Sequence, residues 1–379
     1  MIRIDYPSNA KDIKQFHAEY LSRFNIGDLT VLLNIFLQRY PHLAGLIQMS
    51  VEEILTSSIE DLWIVCDSIK QAATPGELSD LGRIFNYDKN GSCSPSYQSS
   101  IADFFRNNSY GLDLNSCFFC NIDHINSITG VGDYNTWYDF YKNATEGELQ
   151  SIEGIGPISA AAIVAHRQTN MPFEQCPINK KCKTSLRLYK LKNSTSHFTL
   201  DHVLDKASYP LAALSLYNLV PSCYSCNTKF KGTNKLVRSA ALTHLSPSSL
   251  VFSFTKHARF KIYFPSNNNL TYLSVQNTND FVLSYEIDKG AESYNDLIKL
   301  FKLRSRYIFH KKEAVKLIKK RKRYSNSQIE EIAKLMKISK DEVKKDIFGD
   351  ELFNRDYDNS SLVKLKRDIA QNIGIEGIR

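Results

Sequence analysis

The chain has 379 residues, 42% hydrophobic and 23% charged, which excludes wholesale disorder and allows two or three folding units. No apolar run reaches the roughly eighteen residues of a membrane span, and the opening MIRIDYPSNAKDIKQF lacks the basic-then-apolar layout of a secretory signal, so a cytoplasmic setting without membrane contact is expected. Eight cysteines are too few for a disulfide scaffold, and in a reducing setting close Cys pairs read as metal ligands rather than crosslinks.

Residues 1–110 are expected to be a helical N-terminal region, because stretches such as Asp28–Tyr40 and Val51–Ala72 place apolar residues at three- and four-residue spacing. Tyr87–Ser100, rich in Asn, Gly, Ser and Pro, reads as a loop or linker. The segment 111–240 carries the motifs and is expected to be the functional core, with an inserted element at 143–170. From 241 to 290 the pattern turns to alternation: Phe260, Ile262 and Phe264 point one way in ARFKIYF, PSNNN follows as a turn, and LTYLSVQ resumes the alternation as the second strand of a hairpin. The last part, 291–379, reads as a basic helical region.

Two C-x-x-C pairs, Cys117/Cys120 and Cys223/Cys226, supply the four thiolates of a closed tetrahedral zinc site; the alternative is four buried free thiols. Their wide separation implies an insertion. Cys66, Cys93, Cys176 and Cys182 stand outside this pattern, with Cys176-x5-Cys182 as a further metal pair or no site at all.

Immediately before the second pair come FTLDHVLDKASYP and LYNLVPSCYSCNTKFKGT. Asp201-His202, Asn218-Leu219, Cys223-x2-Cys226-Asn227 and Lys229 occur in the order that resembles the HNH, or ββα-metal, nucleases, over roughly residues 198–235. The resemblance implies an α+β fold, mostly helical around a zinc-stabilised ββα-metal core. It also implies a metal-dependent endonuclease that hydrolyses phosphodiester bonds of DNA. His202, with a reference pKa of about 6.5, is the expected general base. Asp201 and the amide oxygen of Asn227 are expected to hold Mg2+ or Mn2+, a hard cation suited to oxygen donors. Asn218 is expected to brace the loop behind the His-bearing strand, and Lys229 to reach a phosphate. Many family members have His where this chain has Asn227, which makes catalytic zinc a poorer fit.

Between the two Cys pairs, GELQSIEGIGPISAAAIVAHR resembles a helix–hairpin–helix, in which Gly154 and Gly156 open a tight turn whose amides bind a DNA backbone phosphate; the alternative is a Gly-capped helix pair used for packing. Lys180 and Lys181 begin a nearby acid-free run that also contains Lys190 and Lys192. Although the whole chain carries +8, Lys302–Arg323 holds eleven basic residues against Glu313 alone, net +10, leaving the remainder at net −2. This block suits a polyanion or forms a solvated helix face. It is expected as one amphipathic helix with Leu303, Tyr307, Ala314, Leu317 and Ile318 inward, and Tyr307 and Tyr324 either stack on bases or sit in the core. The tail IFGDELFNRDYDNSSLVKLKRDIA resembles those of HNH proteins of bacterial antiphage defence, which implies a defence effector working beside an ATPase subunit. The other readings are a non-catalytic nucleic-acid- or partner-binding module and an RNA-cleaving toxin.

Overall fold

In the computed structural model, which describes every residue except 89–96, 130–133, 135, 153, 170, 189–193, 265–270 and 379, side-chain caps divide the N-terminal third into short helices. Cys93, Lys190, Lys192 and the PSNNN turn lie outside the described residues. The helices Ala10–Leu21 and Ile26–Arg39 start at Asn9 and Asn25, whose side-chain oxygens accept from the amides of Asp12 (2.9 Å) and Asp28 (3.3 Å). The periodic stretch Val51–Ala72 is two helices, Val51–Thr56 and Ile59–Ala72, because Ser58 starts the second, its Oγ accepting from Asp61 N at 3.2 Å. Pro75–Ile84 and Gln98–Asn107 complete this region.

Among the described residues three two-stranded antiparallel sheets interrupt the helices: β1 (Ser127–Thr129) with β2 (Ser194–Ser196), β3 (Thr199–His202) with β4 (Leu219–Ser222), and β5 (Ala258–Tyr263) with β6 (Val282–Ile287). The fold is therefore α+β and mostly helical, as expected. Among the described residues no helix is long and apolar enough to cross a membrane.

Two local expectations are corrected. The partner of ARFKIYF is not LTYLSVQ, which contains the 3-10 turn Tyr272–Ser274, but β6, in register Phe260↔Tyr285 and Ile262↔Leu283. FVLSYEI aligns Phe281, Leu283, Tyr285 and Ile287 on one face, and Phe260 and Tyr285 meet with ring centroids 4.1 Å apart. LTYLSVQ has no face as apolar. Second, the basic block is two helices, Leu303–Ile308 and Lys311–Arg323. The spacing of Leu303, Tyr307, Ala314 and Ile318 fits a continuous helix, so nothing in the pattern marks the break. All five expected inward residues are buried.

The chain divides into two units, Met1–Ile125 with Phe198–Arg379, and Asn126–His197. In the first, the N-terminal helices, the β3–β4 hairpin and the C-terminal helices share one apolar core. The terminal helix Val363–Asn372 holds β5: Asp368 accepts from Phe260 N (2.7 Å) and Asn372 Nδ2 donates to Phe260 O (3.1 Å). The second unit has its own core around Phe140, Tyr141, Leu149, Ile163 and Phe173. Its ends are drawn together by the β1–β2 ladder and by His197 N donating to Asn126 O at 2.8 Å.

Since the second unit begins and ends at one place and has its own core, replacing 126–197 by about four Gly/Ser residues is expected to leave the first unit folded. Cooperative thermal unfolding and metal content of the shortened chain check this; a chain that has lost both would show that the first unit needs the second.

Candidate metal centre and hairpin site

The four sulfurs of Cys117, Cys120, Cys223 and Cys226 lie within 4.8 Å of one another and all four residues are buried. Between the two pairs, Cys120 Sγ and Cys223 Sγ lie 4.0 Å apart across a separation of 103 positions. Tetrahedral zinc with Zn–S bonds of about 2.3 Å requires sulfurs about 3.8 Å apart, so the cluster can hold a structural metal such as zinc with small adjustment. Around it, Ile122 N and Cys226 N each donate to a sulfur at 3.4 Å. Arg306 donates to Cys226 Sγ (3.2 Å) and to Asp123 (3.0 Å), and its positive charge offsets thiolate charge. Burial pushes the Cys117 thiol well above its ordinary range. Cys120 moves the other way: burial opposes its ionisation too, but hydrogen bonds from the other three cysteines and the charge of Arg306 favour its thiolate. A bound dication makes the coordinating thiols thiolates outright. Tyr307 belongs to this shell rather than to a stacking surface, since it is buried and donates to Cys120 O at 2.6 Å. Tyr324 is half-buried against the same core.

β4 leads directly into the second Cys pair, and β3 beside it carries the expected catalytic residues. Strand alternation turns Asp201 and His202 to opposite faces. His202 is 9% exposed, edge-on to Tyr87 with ring centroids 4.6 Å apart. Its Nε2 lies 3.0 Å from the carbonyl oxygen of Ala213. A carbonyl only accepts, so Nε2 bears the proton and Nδ1 of the neutral ring keeps its lone pair. Burial lowers the imidazole pKa to about 4, against the opposing effect of that bond, so the ring is neutral near pH 7.

Asn218 lies between β4 and the loop that precedes it. Fully buried, it accepts from Leu204 N (2.7 Å) and donates to Leu204 O (3.1 Å) and Ala212 O (2.8 Å), closing the loop that returns from β3 to β4. The N-terminal helices hold the same loop from outside: Tyr20 donates to Leu214 O and Ser215 to Ile54 O, both at 2.6 Å. The loop thereby sets the Ala213 carbonyl against His202.

Asp201 is 3% exposed, and its Oδ1 receives Lys231 Nζ at 2.6 Å. Its Oδ2 is buried with no partner among the described residues. Burial raises the carboxyl pKa to about 6 even with the Lys231 charge beside it. Asn227 and Lys229 lie on the π-helix Ser225–Lys231. Asn227 is half-buried, and its Nδ2 donates to Thr199 Oγ1 at 2.9 Å, on the face of β3 that Thr199 shares with Asp201. Lys229 is exposed. The sequence does not single out Lys231: CNTKFKGT holds two lysines, and only the packed helix shows that Lys231, followed by Gly232 at φ +48°, turns inward.

In the second unit, Gly154 adopts φ +90° and Gly156 precedes the helix Pro157–Arg167, with Pro157 in its first turn. The helix Lys180–Arg187 lies beside this turn. Cys182 Sγ donates to Gly154 O at 3.1 Å, and a β-carbon on Gly154 would stand 3.9 Å from Lys181 Cε. Lys180 and Lys181 are exposed, and Lys181 adjoins the glycine turn. Cys176 and Cys182 form no metal cluster: among the described residues the only group of three or more Cys, His, Asp or Glu ligands is the four-cysteine one. In the basic block Lys302, Lys312, Lys316, Lys319, Lys320 and Arg323 are exposed, whereas Lys311 and Lys322 donate to the carbonyls of Phe281 (2.5 Å) and Val275 (2.6 Å).

Comparison with protein-family models, curated proteins and solved structures finds no match for the chain.

Two measurements follow from this geometry. The purified protein is expected to carry about one zinc per chain and Cys226→Ser to lose it together with cooperative unfolding; metal-free protein with unchanged unfolding in the variant would show that the thiols only pack. The His202 ring proton in NMR is expected to titrate near pH 4. A midpoint at the free-imidazole value of about 6.5 would place the ring in water.

Proposed function

We propose that the chain is a metal-dependent endonuclease of the HNH type, acting on DNA, with a structural zinc at the four cysteines. The observation that carries the reading is His202: a buried neutral imidazole whose Nε2–H is held by the Ala213 carbonyl, so that Nδ1 carries the lone pair of the ring. The neutral ring is the form that can take a proton from the attacking water of phosphodiester hydrolysis, although burial makes it a weaker base than free imidazole.

The donor set beside it suits a hard divalent cation. Asp201 Oδ2 is a buried carboxylate oxygen without a partner among the described residues, and Asn227, by giving its Nδ2 to Thr199, leaves its amide oxygen available. These two residues would hold Mg2+ or Mn2+, which supplies positive charge to the phosphate and the leaving oxygen. Asn218 keeps the loop, and through it the imidazole, in place. Lys229, exposed on the helix that follows the cysteines, is free to pair with a phosphate oxygen. Gly154, Gly156, Lys180 and Lys181 offer backbone amides and ammonium groups for a sequence-independent phosphate contact.

A second reading, binding of nucleic acid without cleavage, draws on Lys231, whose ammonium already neutralises one oxygen of Asp201.

His202→Ala is expected to lower plasmid nicking in Mg2+ or Mn2+ by about a hundredfold or more while zinc content and thermal midpoint stay near wild type. Nicking that persists in the variant, with contaminating nuclease excluded, removes the assignment. Transfer RNA and single-stranded DNA assayed in parallel separate a DNA enzyme from an RNA-cleaving one.

A further inference from the structure

Lys231 has no role in the pattern that led to the proposed function, yet it makes the closest contact to the carboxylate on which that function depends. It is 5% exposed, Asp201 is 3% exposed, and the ammonium donates to Asp201 Oδ1 at 2.6 Å and to His202 O at 2.5 Å. A buried carboxylate with a buried ammonium against it is charge-compensated within the chain. A dication at the same carboxylate would stand within a few ångströms of that ammonium in a poorly solvated pocket, where like charges repel strongly. The two cations compete for one anion.

The chemistry of the side chain makes the ammonium a displaceable occupant. Lysine is a point charge on a flexible four-carbon stem, without the two-pronged grip of a guanidinium. Lys231 is the last residue of its helix, followed by Gly232 at φ +48°. Asp201 Oδ2, the oxygen the ammonium leaves alone, has no partner among the described residues.

We propose that Lys231 is the resident counter-ion of Asp201 that a divalent cation has to displace, and that it thereby sets the cation demand of the site. The inference rests on the metal-dependent reading above and adds to it the residue that tunes metal affinity.

The test uses Mn2+ binding, followed by electron paramagnetic resonance or calorimetry on full-length, zinc-loaded protein. Lys231→Met keeps the stem and removes the charge, and Kd for Mn2+ is expected to fall by about tenfold or more, a gain that Asp201→Asn in the same chain abolishes. In the unmodified protein, Lys231 is expected to be protected from an amine-acetylating reagent without Mn2+ and to become reactive when Mn2+ saturates the site, read by peptide mass spectrometry. Mn2+ bound no more tightly by Lys231→Met than by wild type overturns the proposal. If that variant fails to fold, Lys231 that stays protected while Mn2+ is bound in an Asp201-dependent manner overturns it as well. Absence of any Asp201-dependent Mn2+ binding in either protein sinks the metal-dependent reading itself, and this inference with it.

Discussion

Four sulfurs gathered from two places 103 positions apart are the constraint on which the first unit turns. Bringing such distant segments together restricts the unfolded chain, and a covalent closure of that length stabilises by about 4–5 kcal/mol in the chain-entropy account. The closure also sets positions. The first pair is tied to the C-terminal end of the chain: Asn121, in the left-handed region at φ +52°, donates to Ser360 O at 2.8 Å and accepts from Leu362 N and Lys364 N. The second pair follows β4 without a break. A metal at the cluster therefore couples the hairpin to the helices that begin near Leu303, through Arg306 and Tyr307.

On the hairpin, neighbouring residues meet opposite surroundings. His202 turns into a pocket closed by Tyr87 and the Ala213 carbonyl, where burial favours the neutral ring. Asp201 turns to the other face, where burial disfavours its charge and Lys231 restores part of it. The first 110 residues contain no motif, yet Tyr20 and Ile54 hold the loop that carries Ala213. Their contribution to the site is rigidity at a distance.

Much of this was legible in the chain. The C-x-x-C pairs pointed to a shared cluster because thiolate pairs at that spacing are the ligand set of zinc. The helical period foretold helices in the N-terminal region. The errors came where a local pattern extended beyond the element it belonged to. LTYLSVQ and FVLSYEI both alternate, and the choice between them fell to the four apolar residues of the second packing opposite Phe260 and Ile262. The basic block kept a helical period across Phe309 and His310, where the structure divides it.

What the amino-acid order determined alone was chemistry available in short windows: which residues can ligate, cap, turn or carry charge. Tertiary packing decided which of them meet. That Lys231 rather than Lys229 faces Asp201, that Nε2 rather than Nδ1 of His202 is bound, and that Arg306 out of eleven basic residues reaches the sulfurs are outcomes of burial. The physical reason is that a charge or a lone pair changes character only when water is removed around it, and water is removed by segments far away in the chain.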